Sequence, residues 1–172
     1  MQQITFKHTS ELKRTKEELE NKLGIKINLK GRTVIIDSPD TFKEYEAQRV
    51  LEAMAFGFSA SKALLLLDEE YIFEEIRIKD HTKRDLKSVL SRLIGTHGKT
   101  KNTIESLTSG DIIIGENKVC LIALAEEIDA ASTAIKNLIR GTKQSKVYNY
   151  LEKHNTKKKT EALNDFGIIK KE

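Results

Sequence analysis

The stretch Arg92-Leu93-Ile94-Gly95-Thr96-His97-Gly98-Lys99-Thr100-Lys101-Asn102-Thr103-Ile104 decides how the chain is interpreted. Apolar residues at helical spacing lead up to it, and a second helical pattern leaves it toward Leu107. Gly95 and Gly98 bracket two polar residues between these patterns. Because glycine adopts backbone conformations that other residues avoid, the stretch predicts two helices joined by a tight G-x-x-G turn.

Composition indicates a folded, helix-rich protein. The chain has 172 residues, of which 38% are hydrophobic and 33% charged, with one proline and one cysteine. Cys120 lies in an apolar run, so we expect a buried thiol and no internal disulfide. The carboxylates at 68–70 and 74–75 are interpreted as solvent-exposed rather than metal-binding. No P-loop, H-E-x-x-H or nucleophile–base pattern occurs. We therefore expect no enzyme activity, cofactor, metal or small-molecule substrate.

The termini and hydropathy predict a cytoplasmic protein. No apolar run approaches the roughly 18 residues that a membrane span needs. The first residues, Met1-Gln2-Gln3-Ile4, do not begin a signal peptide. We expect no association with a membrane.

The net charge of +4 is unevenly distributed. Residues 1–80 carry 13 Lys and Arg against 15 Asp and Glu, whereas residues 81–172 carry 17 against 11. Within 81–110 the ratio is six to two, so positive charge collects around the G-x-x-G turn. Such a concentration is typical of a surface that binds a phosphate backbone, and the alternative is a solvated face with a basic bias.

A repeat emerges when the chain is aligned with itself at an offset of 84 residues. The aligned pairs are Leu23 with Leu107, Ile35 with Val119, Ala47 with Ala131, Leu51 with Ile135, Met54 with Leu138 and Gly57 with Gly141. Each copy contains a helix end, two strands, a long helix and a glycine cap. The sequence therefore predicts two related units.

The first copy predicts a strand at 4–6, a helix from Thr9 or Ser10 to about Leu23, and a hairpin over 25–36. A long helix follows, with candidate caps at Asp37, Ser38 and Asp40 and apolar positions at Tyr45, Val50, Leu51 and Met54. A short helix near Ser59 is expected to bury its leucines against both copies, so that the units form one rigid body.

The second copy predicts strand, helix, G-x-x-G, helix, strand, strand and helix, in that order. This order is that of a type I KH domain, in which helices cover one face of a three-stranded antiparallel sheet. We expect an α+β protein with tandem type I KH domains, the first one truncated. The expected division is a degenerate unit with its linker helix at 1–70, a G-x-x-G unit with a C-terminal helix at 71–153, and a basic polar tail at 154–172, frayed or disordered.

The first copy lacks the glycine turn. The repeat places Gly95 over Glu11 and Gly98 over Arg14, and the stretch from the first strand to the end of the helix spans 17 residues instead of 31. A helix there leaves no gap for a phosphate. We therefore expect the first unit to be a scaffold or a protein-binding surface and the second to bind single-stranded RNA.

Roles follow from residue types around the turn. The glycines let a sugar-phosphate chain approach, and unpaired amides at the start of the next helix carry the positive end of its dipole. Basic side chains add charge, Thr100 and Asn102 offer hydrogen bonds, and Ile94 with strand 112–114 would line an apolar groove for bases. For His97, an exposed loop position without a role is an equal alternative. The candidate RNA-binding residues are Arg92, Ile94, Gly95, Thr96, His97, Gly98, Lys99, Thr100, Lys101, Asn102 and Ile113.

Three segments together resemble the archaeal two-KH ribosome assembly factors of the partner-of-Nob family. Residues 92–100 are similar to its R-x-I-G-x-x-G-R/K-T motif, and residues 57–64 match G-F-S-x-x-K-A-L. Residues 139–152 are similar to the ending I-x-G-x-x-H-x-x-V-Y-x-x-L-E. The chain departs from the family in two places. Archaeal relatives usually keep G-x-x-G in the first unit, and Lys143-Gln144-Ser145 lacks a histidine that many relatives carry.

The resemblance implies binding to ribosomal RNA near the 3′ end of the small-subunit precursor, together with the endonuclease Nob. A non-catalytic RNA-binding protein is therefore the leading hypothesis. The alternative is a protein-interaction adaptor for a processing nuclease or translation factor that binds RNA only weakly. Direct RNA cleavage is disfavoured because no acid–base constellation is present.

Overall fold

Two three-stranded antiparallel sheets organise residues 2–165, the part of the chain that the computed structural model describes. Their strand orders are β1-β3-β2 and β4-β6-β5, so the central strand of each sheet is the last one in sequence. The same topology appears twice, which confirms the predicted tandem α+β fold with a shortened first copy. Within the described residues, no helix has the length and apolarity required to cross a membrane.

The first unit comprises five elements and one core. They are β1 (Gln2–Thr5), α1 (Ser10–Leu23), β2 (Lys26–Lys30), β3 (Thr33–Asp37) and α2 (Thr41–Phe56). In the sheet, Ile4 and Leu29 both lie opposite Val34, and alternation along the strands brings these residues to the face that meets α1 and α2. Asp40 caps α2 by accepting hydrogen bonds from the amides of residues 42 and 43.

The second unit follows the same plan with two more helices. Its elements, including helices α4 to α7, are β4 (Tyr71–Arg77), α4 (Leu86–Ile94), α5 (Lys99–Thr108), β5 (Asp111–Ile114), β6 (Lys118–Leu124), α6 (Ala125–Arg140) and α7 (Gln144–Asp165). Val119 and Leu121 on β6 face the buried sides of α4, α5 and α6. The helices therefore cover one face of this sheet, as the type I order predicts.

The opposite face of the second sheet packs against the first unit. Cys120 and Ile122 alternate with the residues that face the helices, and both belong to the first unit's core. Phe73 on β4 meets Phe58 edge to face, with ring centroids 6.2 Å apart. The second sheet is therefore buried on both faces, which joins the two units through a continuous apolar interior.

The linker contributes to the same interior. It consists of α3 (Ala60–Ala63), which continues directly into a 3-10 turn at Leu64–Leu67. Ala63 and Leu66 are buried in the first core, as the leucine-rich sequence predicts. Lys62 forms a 3.0 Å ion pair with Asp111 at the start of β5, so the linker also contacts the second unit.

The C-terminal helix is longer than the sequence indicates. We expected a helix over 145–153 followed by a frayed or disordered tail, but α7 continues to Asp165. Asn155 donates a hydrogen bond to the carbonyl of Leu107, and Lys158 bonds Glu126 and Glu127 in the first turn of α6. These bonds raise the pKa of Lys158. The tail prediction is therefore wrong for residues 154–165, and residues 166–172 lie outside the described part.

The burial of Cys120 against the first unit predicts an unreactive thiol. Burial, with a smaller effect of the nearby Glu75 carboxylate, raises the pKa of Cys120 to about 12 from an ordinary value of 9.0. At about pH 8 the native protein should resist alkylation by iodoacetamide, while denatured protein reacts readily. Mass spectrometry of samples taken over time measures the fraction of Cys120 that is alkylated. Rapid labelling of native protein would show that the two units separate at this interface.

Candidate nucleic-acid interface

The G-x-x-G turn lies between the end of α4 and the start of α5. Gly95, His97 and Gly98 all have positive φ angles, of 73°, 51° and 77°. Thr96 and His97 are exposed at the tip. The chain therefore passes from α4 to α5 within four residues and exposes the two side chains at the tip.

Gly95 is required by both conformation and space. Its φ of 73° with ψ of 177° is a combination that essentially only glycine adopts. A Cβ atom built there would lie 2.7 Å from the backbone nitrogen of Thr100 and closer still to its hydroxyl oxygen. At Gly98 the nearest atoms, on Asn102, would be 3.8 Å from such a Cβ, so only the backbone conformation favours glycine there.

Thr100 supports the turn instead of contacting a ligand. Its side chain is 2% exposed, and its hydroxyl accepts a 2.8 Å hydrogen bond from Gln144 Nε2. The expected hydrogen bond from Thr100 to sugar or base is therefore wrong. The hydroxyl is occupied in holding the start of α5 against the loop between α6 and α7.

Arg92 is also committed to structure. Its guanidinium donates a 2.5 Å hydrogen bond to the carbonyl of Thr142, and its own carbonyl accepts one from Gln144 at 3.5 Å. The side chain is only partly exposed. The predicted reach of Arg92 to a phosphate or base is thus replaced by a bond that ties α4 to the same loop.

Of the two apolar residues predicted to line a groove for bases, Ile94 is available and Ile113 is not. Ile94 is 42% exposed beside Gly95, where an apolar base face could rest. Ile113 instead lies on the face of β5 that packs against the first unit, and its Cδ1 would be 3.5 Å from a Cβ on Gly57. Placing Ile113 in the groove is therefore wrong, because side chains alternate along a strand and its neighbour Ile112 faces the helices.

The polar residues that follow the turn differ in whether their side chains are free to contact a ligand. Lys99 is exposed and forms no ion pair with any described residue, and Asn102 is exposed one turn later. Lys101 pairs with Glu105 at 2.9 Å. The same Glu105 oxygen accepts a 2.8 Å bond from the amide of Ile112, so Lys101 helps to join α5 to β5. Lys99 is therefore the available cation at the start of α5.

The start of α5 has no side-chain cap. Gly98 occupies the N-cap position, and no side chain of the described residues caps the helix. The amides of Gly98 and Lys99 already donate to the carbonyls of Gly95 and Thr96, so the expectation of unpaired amides is wrong for these two. A helix start carries partial positive charge and amide donors that anions can satisfy. Lys99 adds a full charge at the same place. The turn can therefore attract a phosphate through the positive end of the α5 dipole and the charge of Lys99.

The first unit has no equivalent site. Its α1 is continuous through Glu11 and Arg14, which pair at 2.6 Å. The other Glu11 oxygen accepts the amide of Ala60 at 3.4 Å. The Arg14 hydrogen bond, followed by the Ala60 amide, lowers the pKa of Glu11. A carboxylate that bonds the linker thus occupies the position of the second unit's first glycine.

Sequence reasoning missed the loop that holds the turn. Gln144 links Thr100 and Arg92, and the guanidinium of Arg84 packs over Gly141 so closely that a Cβ there would be 2.5 Å from its Cζ. The only signal in the sequence was the departure of Lys143-Gln144-Ser145 from the family motif. Composition and periodicity contain no indication of these bonds.

Fold and turn together define a protein of two KH units of type I, of which the second carries the G-x-x-G turn. Residues 72–156 match the second-domain profile of PNO1, a eukaryotic-type KH domain (KH-domain type I). The chain belongs to the PNO1/Dim2 family of KH-domain proteins, which confirms the family resemblance.

Relatives from two domains of life support this assignment. KH domain-containing protein MJ0443 of Methanocaldococcus jannaschii is 32% identical over 149 residues, which cover 83% of this chain and 66% of the relative. RNA-binding protein pno1 of Drosophila pseudoobscura is 36% identical over 138 residues, covering 76% of this chain and 58% of the relative. The chain thus spans less than two thirds of the length of these relatives.

A solved structure gives the same fold. A chain in the a/eIF2alpha–aDim2p–rRNA complex from Pyrococcus horikoshii aligns with a TM-score of 0.79 and 27% identity. The alignment covers 91% of this chain and 94% of that one.

The two glycines should respond differently to alanine. Gly98→Ala places a side chain on a residue with left-handed backbone conformation, so it should lower the free energy of unfolding by about 1–2 kcal/mol. Gly95→Ala also pushes a methyl group into Thr100, so it should lower the free energy of unfolding by about 1–3 kcal/mol more than Gly98→Ala does. Urea unfolding of both variants and wild type measures the difference. Equal losses would contradict the close contact between Gly95 and Thr100.

Proposed function

We propose that this protein binds single-stranded RNA through the G-x-x-G turn of its second unit during maturation of the small ribosomal subunit. The observation that carries the proposal is the exposed Thr96–His97 tip with unpaired Lys99 at the uncapped start of α5. The RNA is proposed to be small-subunit ribosomal RNA near its 3′ end. The role is binding, without catalysis, in the cytoplasm.

Binding would combine three contacts. The sugar-phosphate chain approaches Gly95 and Gly98, where no side chain stands in the way, and a KH turn of this kind clamps about four nucleotides. Lys99 and the positive end of the α5 dipole stabilise the phosphate charge. Bases lie against Ile94, and Asn102 supplies a donor and an acceptor for a base edge or sugar hydroxyl. Thr100 and Arg92 keep the turn in place.

A charge reversal at the tip tests the site. Thr96→Asp with His97→Asp places two carboxylates against the phosphates and should weaken binding at least about tenfold, or about 1.4 kcal/mol. Thr96→Asn with His97→Asn is the matched control, because asparagine has the same shape without charge and also tolerates positive φ. Fluorescence anisotropy with a labelled 3′-terminal segment of archaeal small-subunit rRNA measures affinity.

The control pair should retain near wild-type affinity, and both variants should melt within a few degrees of wild type because residues 96 and 97 are exposed. Unchanged affinity in the aspartate pair would place the RNA site elsewhere. Equal losses in both pairs would mean that the threonine and histidine side chains themselves, rather than charge, carry recognition.

The first unit supports a second role as a protein contact. On α2, Phe42 is 64% exposed and Tyr45 is 58% exposed, although we expected Tyr45 among the apolar positions that α2 buries. The guanidinium of Arg49 lies 5.9 Å from the Tyr45 ring centroid. Exposed aromatic residues with arginine are enriched in protein interfaces. We propose that this patch binds the processing endonuclease Nob, and that the unit at 1–70 otherwise acts as scaffold for the unit at 71–153.

Truncating both aromatic side chains tests the partner surface. Phe42→Ala with Tyr45→Ala should weaken binding of purified Nob endonuclease at least about tenfold, while RNA affinity stays unchanged. Pull-down with and without ribonuclease separates direct from RNA-bridged contact, and the Thr96/His97 aspartate pair should retain the nuclease. Nuclease binding that ribonuclease abolishes would contradict a direct contact. A tight nuclease complex together with very weak RNA binding would favour the adaptor alternative.

A further inference from the structure

Several lysines on the described surface are neutralised by nearby carboxylates. Lys22 pairs with Glu18 at 2.8 Å, Lys118 with Glu75 at 2.8 Å, and Lys136 with Glu74 at 3.2 Å. At the far end of α7, Lys158 contacts two glutamates. Neutralised lysines of this kind gain little from a phosphate, because binding requires breaking an existing pair.

Cations without carboxylate partners flank the loop between α6 and α7. Arg140, Lys143 and Lys146 are exposed, and none of the three has an ion-pair partner among residues 2–165. The sequence contains no acidic residue between Lys136 and Glu152. Three unneutralised cations therefore lie within seven residues, where nothing inside the protein requires their charge.

This loop is fixed to the G-x-x-G turn. Gln144 bonds Thr100, the residue that fills the space beside Gly95. Arg92 at the end of α4 bonds the carbonyl of Thr142. Lys143 is thus flanked on both sides by residues that contact the elements on either side of the turn, and the basic loop borders the RNA site.

We propose that Arg140, Lys143 and Lys146 form a second RNA contact, which binds the backbone of nucleotides that extend beyond those clamped by the G-x-x-G turn. This inference rests on the proposed function. Its occupant is the same single-stranded RNA, because the surface continues from the turn and its charge complements phosphate. The contacts are to phosphates, so they add affinity and footprint without reading sequence.

The test compares RNAs of two lengths. One is an oligouridylate of about four nucleotides, which fits the turn alone, and the other is about three times longer. The test variant is Arg140→Gln, Lys143→Gln and Lys146→Gln. The matched control is Lys13→Gln, Lys30→Gln and Arg32→Gln, which removes the same charge from exposed residues of the first unit that also lack an ion-pair partner among the described residues. Anisotropy titrations between about 50 and 200 mM salt give affinity and its salt dependence.

The test variant should bind the longer RNA about tenfold more weakly at low salt and bind the short RNA as wild type does. Its salt slope on the longer RNA should fall by about 2, because each phosphate contact on single-stranded RNA contributes about 0.7. The control variant should match wild type on both RNAs. A melting curve confirms that the test variant is folded.

Three results would overturn the inference. The test variant could keep wild-type affinity and slope on the longer RNA, or the control could lose as much, which would show a general charge effect. Loss of Nob endonuclease binding by a variant whose RNA affinity is unchanged would assign the loop to a protein partner. The proposed function fails separately, if wild type binds neither RNA, and the inference then fails with it.

Discussion

The contact between Gly95 and Thr100 is the constraint on which the RNA site depends. With no side chain on residue 95, Thr100 can lie directly beneath the turn, and this closeness sets how sharply α4 and α5 meet. The buried threonine hydroxyl needs a partner, and Gln144 supplies it from the next loop. One missing side chain therefore couples the turn, the first residues of α5 and the α6–α7 loop. The exposed tip can then remain open to ligand without losing its shape.

Burial of the second sheet on both faces gives the shortened first unit a structural role. In a KH fold, helices cover one face of the sheet and the other face still needs protection. Here the other face carries Cys120 and Ile122, which are buried at 0% and 1% exposure within the first unit's core. Removing the first unit would expose this apolar surface to water, at a cost that scales with its area. The first unit therefore supports the RNA-binding unit by burial, whether or not it contacts a ligand itself.

The fold could be predicted from the sequence because the spacing and the repetition of apolar residues reflect which residues are buried. Alternation in β2 and β3 and the offset of 84 residues identified both units, and Gly95 with Gly98 located the turn. The errors concern how polar or alternating side chains are used. Thr100 and Arg92 have residue types suited to RNA, yet the structure commits both to internal hydrogen bonds that depend on a loop over 40 positions away in sequence. Ile113 was misplaced because an apolar run does not reveal which face of a doubly buried strand each residue occupies. The polar residues after His154 were expected to fray, but Lys158 reaches a buried glutamate on α6 that local sequence cannot indicate.

Comparison of the two units shows how a ligand site can be exchanged for an internal contact. Where the second unit has Gly95 and an open turn, the first has Glu11, which bonds Arg14 on its own helix and the amide of Ala60 in the linker. A carboxylate there would repel phosphate. The same region of the fold therefore anchors the linker in one copy and faces solvent in the other. Because only three residues separate the linker from β4, the bond between Glu11 and the linker contributes to positioning the second sheet.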